Sequence, residues 1–563
     1  MRRSSISVLI TTMIILVLIL TLLSGCGFET AVSEEESVPV ENVPVEIVPA
    51  DVESNTEETA VDDKDMEALA ATGRTQYTAD LSVSRPESME DFVYVNGSQR
   101  ITFRNDSDDI WDHIVLREYS PSILKDEVFL LSVTGRERPY EPGEVQHTAI
   151  ESVSRDGTEL AFEEQSDPSV VSITLNEPLK PGEACAIELT FNIRVASSPA
   201  RQGYDQVDSV NKDDVLDSGE IIVSLGPVLP VLAEYKDGEW VCHEYFEDGE
   251  CFISECSDYH VTLNVPDGFR AVASGKETVN DDGTYTIQAD NMRDFAVIAG
   301  DTLNYVEDRY GDKTVRVWFY DNGNDVYKTA AGKALEIAID AVRTFTDYYG
   351  EYAYDELDVV FAPYHHEGME YPGMVRIADL ECLISSDADD SGEGDEMYRA
   401  FRTNIVHEIA HEWFYAAVGN DSFSEPWLDE GFARYSEIVF MEENGLQQSA
   451  DSFISSLREH YAAADNAPVD ISVDESSVEL SEGQGSYVYG WTVYDGSALF
   501  LHELKETMGK EKFDEFMHRW YSENTGAIVT TCQFFMELFE TDDSEDVHQL
   551  VSRFFREKSY SLD

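Results

Sequence analysis

The chain has 563 residues, too many for one ordinary domain, and its 42% hydrophobic and 11% aromatic content belongs to a core-forming globular protein. Its 38 basic residues stand against 113 acidic ones, a formal charge of −75, which argues against nucleic acid as a partner because phosphate binding needs a basic surface. The acidity is spread along the chain, so its plainest meaning is a solvated surface in a salty or cation-rich setting, with attraction of basic substrates the lesser alternative.

At the N-terminus, Arg2 and Arg3 precede an apolar run from about Val8 to Leu23, followed by Ser24-Gly25-Cys26. A basic start, a hydrophobic stretch and small residues describe a secretory signal, and the run is short for a membrane span of about 20 residues. Leu23-Ser24-Gly25-Cys26 resembles a bacterial lipobox. That resemblance implies a lipoprotein signal peptide over 1–25, a lipid on Cys26, and a protein anchored at the extracytoplasmic face of a bacterial cell membrane. A signal-anchor helix with an incidental cysteine is the alternative. Residues 26–75 carry Glu34-Glu35-Glu36, Pro39, Pro44 and Pro49 with no sustained apolar period. Such a segment buries too little to offset its ordering entropy, so a disordered, self-repelling acidic tether is expected.

Residues 76–306 show short alternating or β-branched runs, among them Arg100–Phe103, Val170–Leu175, Ala186–Phe191 and His260–Leu263. Turn chemistry stands between them at Asn96-Gly97, Asp156-Gly157, Pro181-Gly182 and Asp282-Gly283. A mostly β domain is predicted, with no catalytic constellation of its own. Of the cysteines beyond Cys26, Cys242, Cys251 and Cys256 are near enough for one local bridge, whereas Cys185, Cys382 and Cys532 stand apart, and no pairing follows from sequence.

From residue 307 to 563 the pattern is mixed and increasingly helical. Ala330, Ala334, Ile337, Ala338, Ala341 and Phe345 give helical periodicity between Val326 and Tyr348, and Leu357–Ala362 reads as a buried strand. A metal helix follows, whose core-facing stripe is Ile405, Ile409, Ala410, Trp413, Phe414 and Ala417, and Trp427–Glu442 is a second helix. His407 and His411 are four residues apart, so they share one helical face about 6 Å apart along the axis. Two imidazoles so placed can bind one tetrahedral Zn²⁺, with Glu430, eighteen residues beyond His411, as third ligand. Glu408 projects beside the metal, where a carboxylate can take a proton from water. Glu437 and Asp429 are candidates to support a ligand histidine, weighed against a solvated helix face, which is slightly favoured. His365 and His366 lie near the cleft motif, where they either line a substrate pocket or, the favoured reading, are ordinary loop histidines; they are not assigned as zinc ligands.

These residues resemble the gluzincin aminopeptidases of family M1. Residue by residue, His407, His411 and Glu430 match that family's zinc ligands, and Glu408 its general base. Gly368-Met369-Glu370-Tyr371-Pro372-Gly373 resembles the exopeptidase motif, usually Gly-x-Met-Glu-Asn, so Glu370 would bind the substrate's α-amine with Gly368 and Met369 beside it. Thr492–Leu499 resembles the segment with the catalytic tyrosine, which implies that Tyr494 donates to the oxyanion, with Tyr487 and Tyr489 as competitors. The resemblance covers nearly everything from residue 77 and implies a multidomain α+β architecture. An N-terminal β-sheet saddle domain would precede a thermolysin-like, mixed but mostly α-helical zinc-peptidase domain.

The activity implied is zinc-dependent removal of N-terminal residues from peptides with a free N-terminus, using one Zn²⁺ per chain. A zinc endopeptidase, or a catalytically silent peptide-binding surface lipoprotein, are the alternatives. Three departures stand out. Glu367 occupies the motif's usual first Gly, Tyr371 replaces the usual Asn, and the chain ends about seventy residues after Tyr494. The last implies a short form with a more open cleft that accepts longer peptides.

Overall fold

The structure, a computed structural model, describes residues 58–87, 91–119, 148–197, 201–206, 220–243, 252–321, 323, 325–364, 366–378, 396–465, 473 and 486–556. Cys26 and its lipobox lie outside the described residues, as do His365, Cys251 and Cys382. No helix among the described residues is long and apolar enough to cross a membrane.

The end of the expected tether is helical instead. Helix α1, Glu58–Thr72, turns Leu69 and Asp65 inward, and Asp65 accepts from the Thr78 hydroxyl at 3.1 Å. The acidic composition hid this helix because its docking depends on one leucine and one buried carboxylate, not on an apolar stripe.

The β region forms as its alternation predicts. Its largest sheet has eight strands in the order Lys276–Val279, Tyr285–Met292, Ser257–Asn264, Gln76–Val83, Val93–Arg104, Ala184–Val195, Thr148–Arg155 and Thr158–Glu159. Along Ala184–Val195 every second side chain is buried, including Ile187, Leu189 and Phe191, the period-two signature of a sheet with one face on a core. The Asp156-Gly157 turn has both residues at positive φ, 52° and 69°, as a tight hairpin requires. Asn96-Gly97, expected as a turn, instead lies inside the strand Val93–Arg104. A Cβ on Gly97 would stand 2.2 Å from the Phe191 ring of the neighbouring strand, so the glycine makes room for that ring.

A five-stranded sheet opens the second region, in the order Leu303–Tyr310, Lys313–Tyr320, Glu356–Phe361, Met374–Ile377 and Gly368–Tyr371. Gly368–Tyr371 is thus an edge strand, held antiparallel to Met374–Ile377 by a hairpin whose Gly373 sits at φ +72°. Helix α2, Asp325–Tyr348, buries the predicted alanine-rich stripe. Helices α3, Glu396–Ala410, α4, Glu430–Glu443, and α5, Gln447–Asp465, follow. A short helix, Ser486–Tyr489, leads into a π-helical turn, Gly490–Gly496, and four helices complete the chain: α6, Ser497–Met508; α7, Lys510–Asn524; α8, Thr531–Thr541; α9, Glu545–Phe554. The architecture is α+β, a sheet-rich N-terminal region followed by a mostly helical one.

One boundary differs from the periodicity. The apolar stripe runs on to Ala417, but α3 ends at Ala410. Beyond it Glu412 and Trp413 donate to carbonyls only three residues back, at 3.1 and 3.0 Å, and Tyr415 takes φ +114°. Arg293, from the β region, receives the carbonyls this turn releases: its Nε donates to Tyr415 O at 2.7 Å and its Nη2 to Ala417 O at 3.2 Å. Trp413, Phe414 and Ala417 remain buried, reaching the core from a turn and not from a helix. Among the described cysteines, Cys185, Cys242, Cys256 and Cys532 are free thiols.

Candidate metal centre

His407 lies in the last turn of α3 and His411 just past its end; Glu430 opens α4. The chain reaches Glu430 through a single 3₁₀ turn, Pro426–Leu428, and the Asp429 carboxylate accepts from the Glu430 N–H at 2.7 Å, capping the helix. Asp429 is held in turn by Ser422 and Asn420, at 2.5 and 3.1 Å. This buried cap explains why α4 starts at the residue whose carboxylate must face α3.

The three donor atoms form a nearly equilateral triangle. His407 Nε2 is 3.2 Å from His411 Nε2 and 3.2 Å from Glu430 Oε2, and His411 Nε2 is 3.3 Å from the same oxygen. A tetrahedral zinc with bonds of about 2.0–2.1 Å separates its donors by about 3.3 Å, so the residues fit that ion. The other ring nitrogens are already engaged. His407 Nδ1 is 2.9 Å from Glu437 Oε1, and His411 Nδ1 is 3.0 Å from the Phe414 carbonyl, which the tight turn after α3 supplies. With Nδ1 donating in each ring, both Nε2 lone pairs point into the triangle. Glu437 is only 1% exposed, so the solvated-face alternative is overturned, and Asp429 serves the helix cap instead.

Around the triangle, burial and like charge make an acidic pole. Burial, against the neighbouring imidazoles, raises Glu408 to about 7. Burial also opposes ionisation of Glu430, but His411 and His407 prevail and hold its carboxyl far below the usual range. Glu408 packs over the edge strand: a Cβ on Gly368 would lie 2.3 Å from its carboxyl carbon. Glu370 is 8% exposed and close enough to His411 to favour its charged form. Tyr494, on the π-helical turn, donates its hydroxyl to Glu430 Oε1 at 2.6 Å and stacks 6.0 Å from the His407 ring. Tyr489 packs edge-on against Tyr494, at 6.0 Å, and does not replace it.

All these groups line one cavity of about 960 Å³, which also takes in His366 and Glu367. Met369 borders it, yet its side chain is 2% exposed and its sulfur accepts from Tyr364, so it belongs to the packing behind the strand. Tyr371 also turns into that packing: a Cβ on Gly226 would meet its hydroxyl. Tyr371, the residue of the Tyr-for-Asn departure, therefore does not line the cavity.

Residues 333–554 match the family model described as "Peptidase family M1 domain". That matched segment carries His407, His411 and Glu430. It is 25% identical to Aminopeptidase M1-B of Oryza sativa subsp. japonica over 320 residues, 54% of this chain and 34% of that protein. It is 26% identical to Aminopeptidase B of Homo sapiens over 309 residues, 51% of this chain and 43% of that one. The chain thus spans less than half the length of either relative. Among solved structures, the M1 zinc metallopeptidase from Deinococcus radiodurans superposes with a TM-score of 0.57 at 18% identity, covering 86% of this chain and 94% of that one. A variant of that enzyme bound to a Tyr-Ser-Ala substrate gives 0.55 at 18% identity, covering 87% and 95%.

Two further residues, Arg434 and Glu412, tie the site together. Arg434 donates to both Glu437 oxygens, at 3.1 and 3.2 Å, and to Asp495, beside Tyr494, at 2.9 Å. Its place one turn beyond Glu430 and three residues before Glu437 was a visible signal. Glu412, 1% exposed, accepts the Gly373 N–H at 3.0 Å and the Tyr352 hydroxyl at 3.1 Å, joining the metal helix to the hairpin that carries Glu370. No local spacing announces that bond.

Proposed function

We propose that this protein is a zinc-dependent aminopeptidase that removes N-terminal residues from peptides, with one Zn²⁺ per chain held by His407, His411 and Glu430. The observation that carries the reading is a buried carboxylate, Glu370, on an edge strand in the same cavity as the ligand triangle. Bound zinc would supply Lewis-acid polarisation of the peptide carbonyl and acidify the attacking water. An extended peptide can lie against the edge strand Gly368–Tyr371, where main-chain hydrogen bonds align it. Glu370 then pairs with the α-ammonium, which in a partly desolvated cleft needs an anion, and this sets a one-residue distance to the cut bond. Glu408, its affinity for a proton raised by burial, takes the proton of the attacking water and passes it to the leaving amine. Tyr494 turns its hydroxyl from Glu430 to the developing oxyanion.

The test is Glu370→Ala assayed on aminoacyl amides and on N-acetylated peptides. Loss of most free-amine turnover supports the aminopeptidase. Unchanged turnover together with cleavage of blocked peptides would favour the endopeptidase. A zinc-loaded protein that hydrolyses neither would favour a silent peptide binder. We further propose that the chain is lipid-anchored at Cys26 on the extracytoplasmic face of a bacterial membrane, from Arg2-Arg3, the apolar run and the lipobox. Retention of a Cys26→Ala variant in the membrane fraction would count against that anchor.

A further inference from the structure

The cavity is electrically two-ended, and the strand beside α3 gives it a direction. Asn404 donates to the Glu367 carbonyl at 2.8 Å, Gly368 sits against Glu408, and Gly373 bonds Glu412. The strand therefore runs alongside α3 in the same direction, with the Glu370 amine site at the His411 end. At the opposite end, N-terminal to His407, the helix presents Arg402 and Arg399 to the cavity. The lining holds no lysine, and both cations at this end are arginines, the side chain whose planar fork matches a carboxylate with two parallel hydrogen bonds. Arg402 is 3% exposed and its guanidinium lies 5.8 Å from the Tyr398 ring, which fixes its plane. Glu367 is the carboxylate of the lining at this end, and it is exposed.

A rise of 1.5 Å per residue places Arg402 about 7.5 Å and Arg399 about 12 Å along the helix axis from His407. An extended peptide advances about 3.3 Å per residue. With its ammonium at Glu370 and its first carbonyl at the ligand triangle, a peptide brings the group two or three residues further on opposite these arginines. Resting on the aminopeptidase reading, we propose that Arg399 and Arg402 form a carboxylate subsite on the leaving-group side. It selects peptides that present a carboxylate two or three residues beyond the cut bond. That carboxylate is the free C-terminus of a tri- or tetrapeptide or an acidic side chain, the same chemistry from two sources.

The experiment compares kcat/KM of the zinc-loaded chain on Ala-Ala-Ala and its C-terminal amide, and on Ala-Ala-Glu-amide and Ala-Ala-Gln-amide. The first pair reads the free C-terminus, the second the side chain. A charge-assisted fork should favour the carboxylate member of at least one pair by about tenfold, chiefly through KM. Arg399→Met should cut that ratio several-fold. Arg402→Lys, which keeps the charge and the stem of a buried residue but loses the fork, should cut it as well, with the Tm of each variant confirming a folded protein. Ratios near one in both pairs would overturn the subsite alone, as would a preference that both folded variants retain. No hydrolysis of any of the four peptides would overturn the aminopeptidase reading and the subsite with it.

Discussion

Glu437 offers the sharpest test of the metal centre, because it touches His407 without being a ligand. Its Oε1 lies 2.9 Å from His407 Nδ1, and it is 1% exposed, so no water can readily take its place. Glu437→Ala removes the acceptor that fixes the imidazole's tautomer and ring plane. Loss of such an outer partner typically weakens metal binding by about 10–100-fold, or about 1.4–2.7 kcal/mol. The same change strips Arg434 of one of two carboxylates. Since Arg434 keeps Asp495 and its side chain is 26% exposed, the fold should lose about 1–3 kcal/mol, less than breaking a wholly buried pair costs. Glu437→Gln keeps an acceptor at the right place and removes the charge, so its zinc affinity should fall between wild type and Glu437→Ala. Competition against a chromophoric chelator measures the zinc affinity, and Tm with and without metal separates stability from binding. A folded Glu437→Ala protein whose zinc affinity stayed within twofold of wild type would refute the reasoning, since His407 would then owe its orientation to packing alone.

Tyr494→Phe should lower kcat by about 10²–10³-fold while KM changes little, because its hydroxyl bonds Glu430 at rest and, on the proposed mechanism, the oxyanion only during reaction. Steady-state kinetics on an aminoacyl amide check this, and a kcat within a few-fold of wild type would sink the assignment. Glu118 supplies a pH test far from the metal ligands in sequence: it is 2% exposed, and neither carboxyl oxygen has a hydrogen-bond partner among the described residues. Burial, and then Glu164, push its pKa well above the usual carboxylate value. A raised carboxyl binds more protons folded than unfolded, so stability is highest below the unfolded pKa of about 4.3 and falls as pH rises toward the folded value. Glu118→Gln should therefore raise Tm more at pH 8 than at pH 4, and a Tm difference independent of pH would contradict the linkage.

What the sequence made legible was whatever rests on near neighbours in the chain. His407 and His411 announce themselves through one turn of helix, and the strand alternation of Ala184–Val195 survives folding intact. Glu430 was legible through its distance from His411, because one short turn can return a second helix to the first. What stayed hidden depends on partners distant in the chain. The apolar stripe continues past Ala410, so periodicity cannot tell that Arg293, more than a hundred residues earlier, takes the Tyr415 carbonyl. Asn96-Gly97 has turn chemistry, yet Phe191 across the sheet recruits the glycine for its missing side chain. Helix α1 was masked by acidic composition, because a single docked Leu69 leaves no pattern.

The same long-range bonds explain how a site spread over three elements can be stiff. The hairpin of the edge strand is pinned to the turn after the metal helix by Glu412 on Gly373, and α4 is pinned to the π-helical turn by Arg434 on Asp495. The two helices meet through Glu437 on His407. Each link is polar, directional and at least partly buried, whereas an apolar contact of equal area would permit sliding by a few tenths of an ångström. That difference matters because the positions needing control are carboxylates and a hydroxyl facing a common point, where about 1 Å of misplacement costs on the order of a hundredfold in rate. Burying so many charges is unfavourable unless each is paired, and in this highly acidic chain the scarce arginines are drawn to those positions. Arg434 neutralises the second carboxylate layer behind the metal ligands, and Arg293 satisfies the carbonyls left open where the metal helix stops. The electrostatics of the cavity therefore follow from where arginine stands and not from the net charge of the chain, which is why a chain at −75 is compatible with a cavity that carries arginines in its lining.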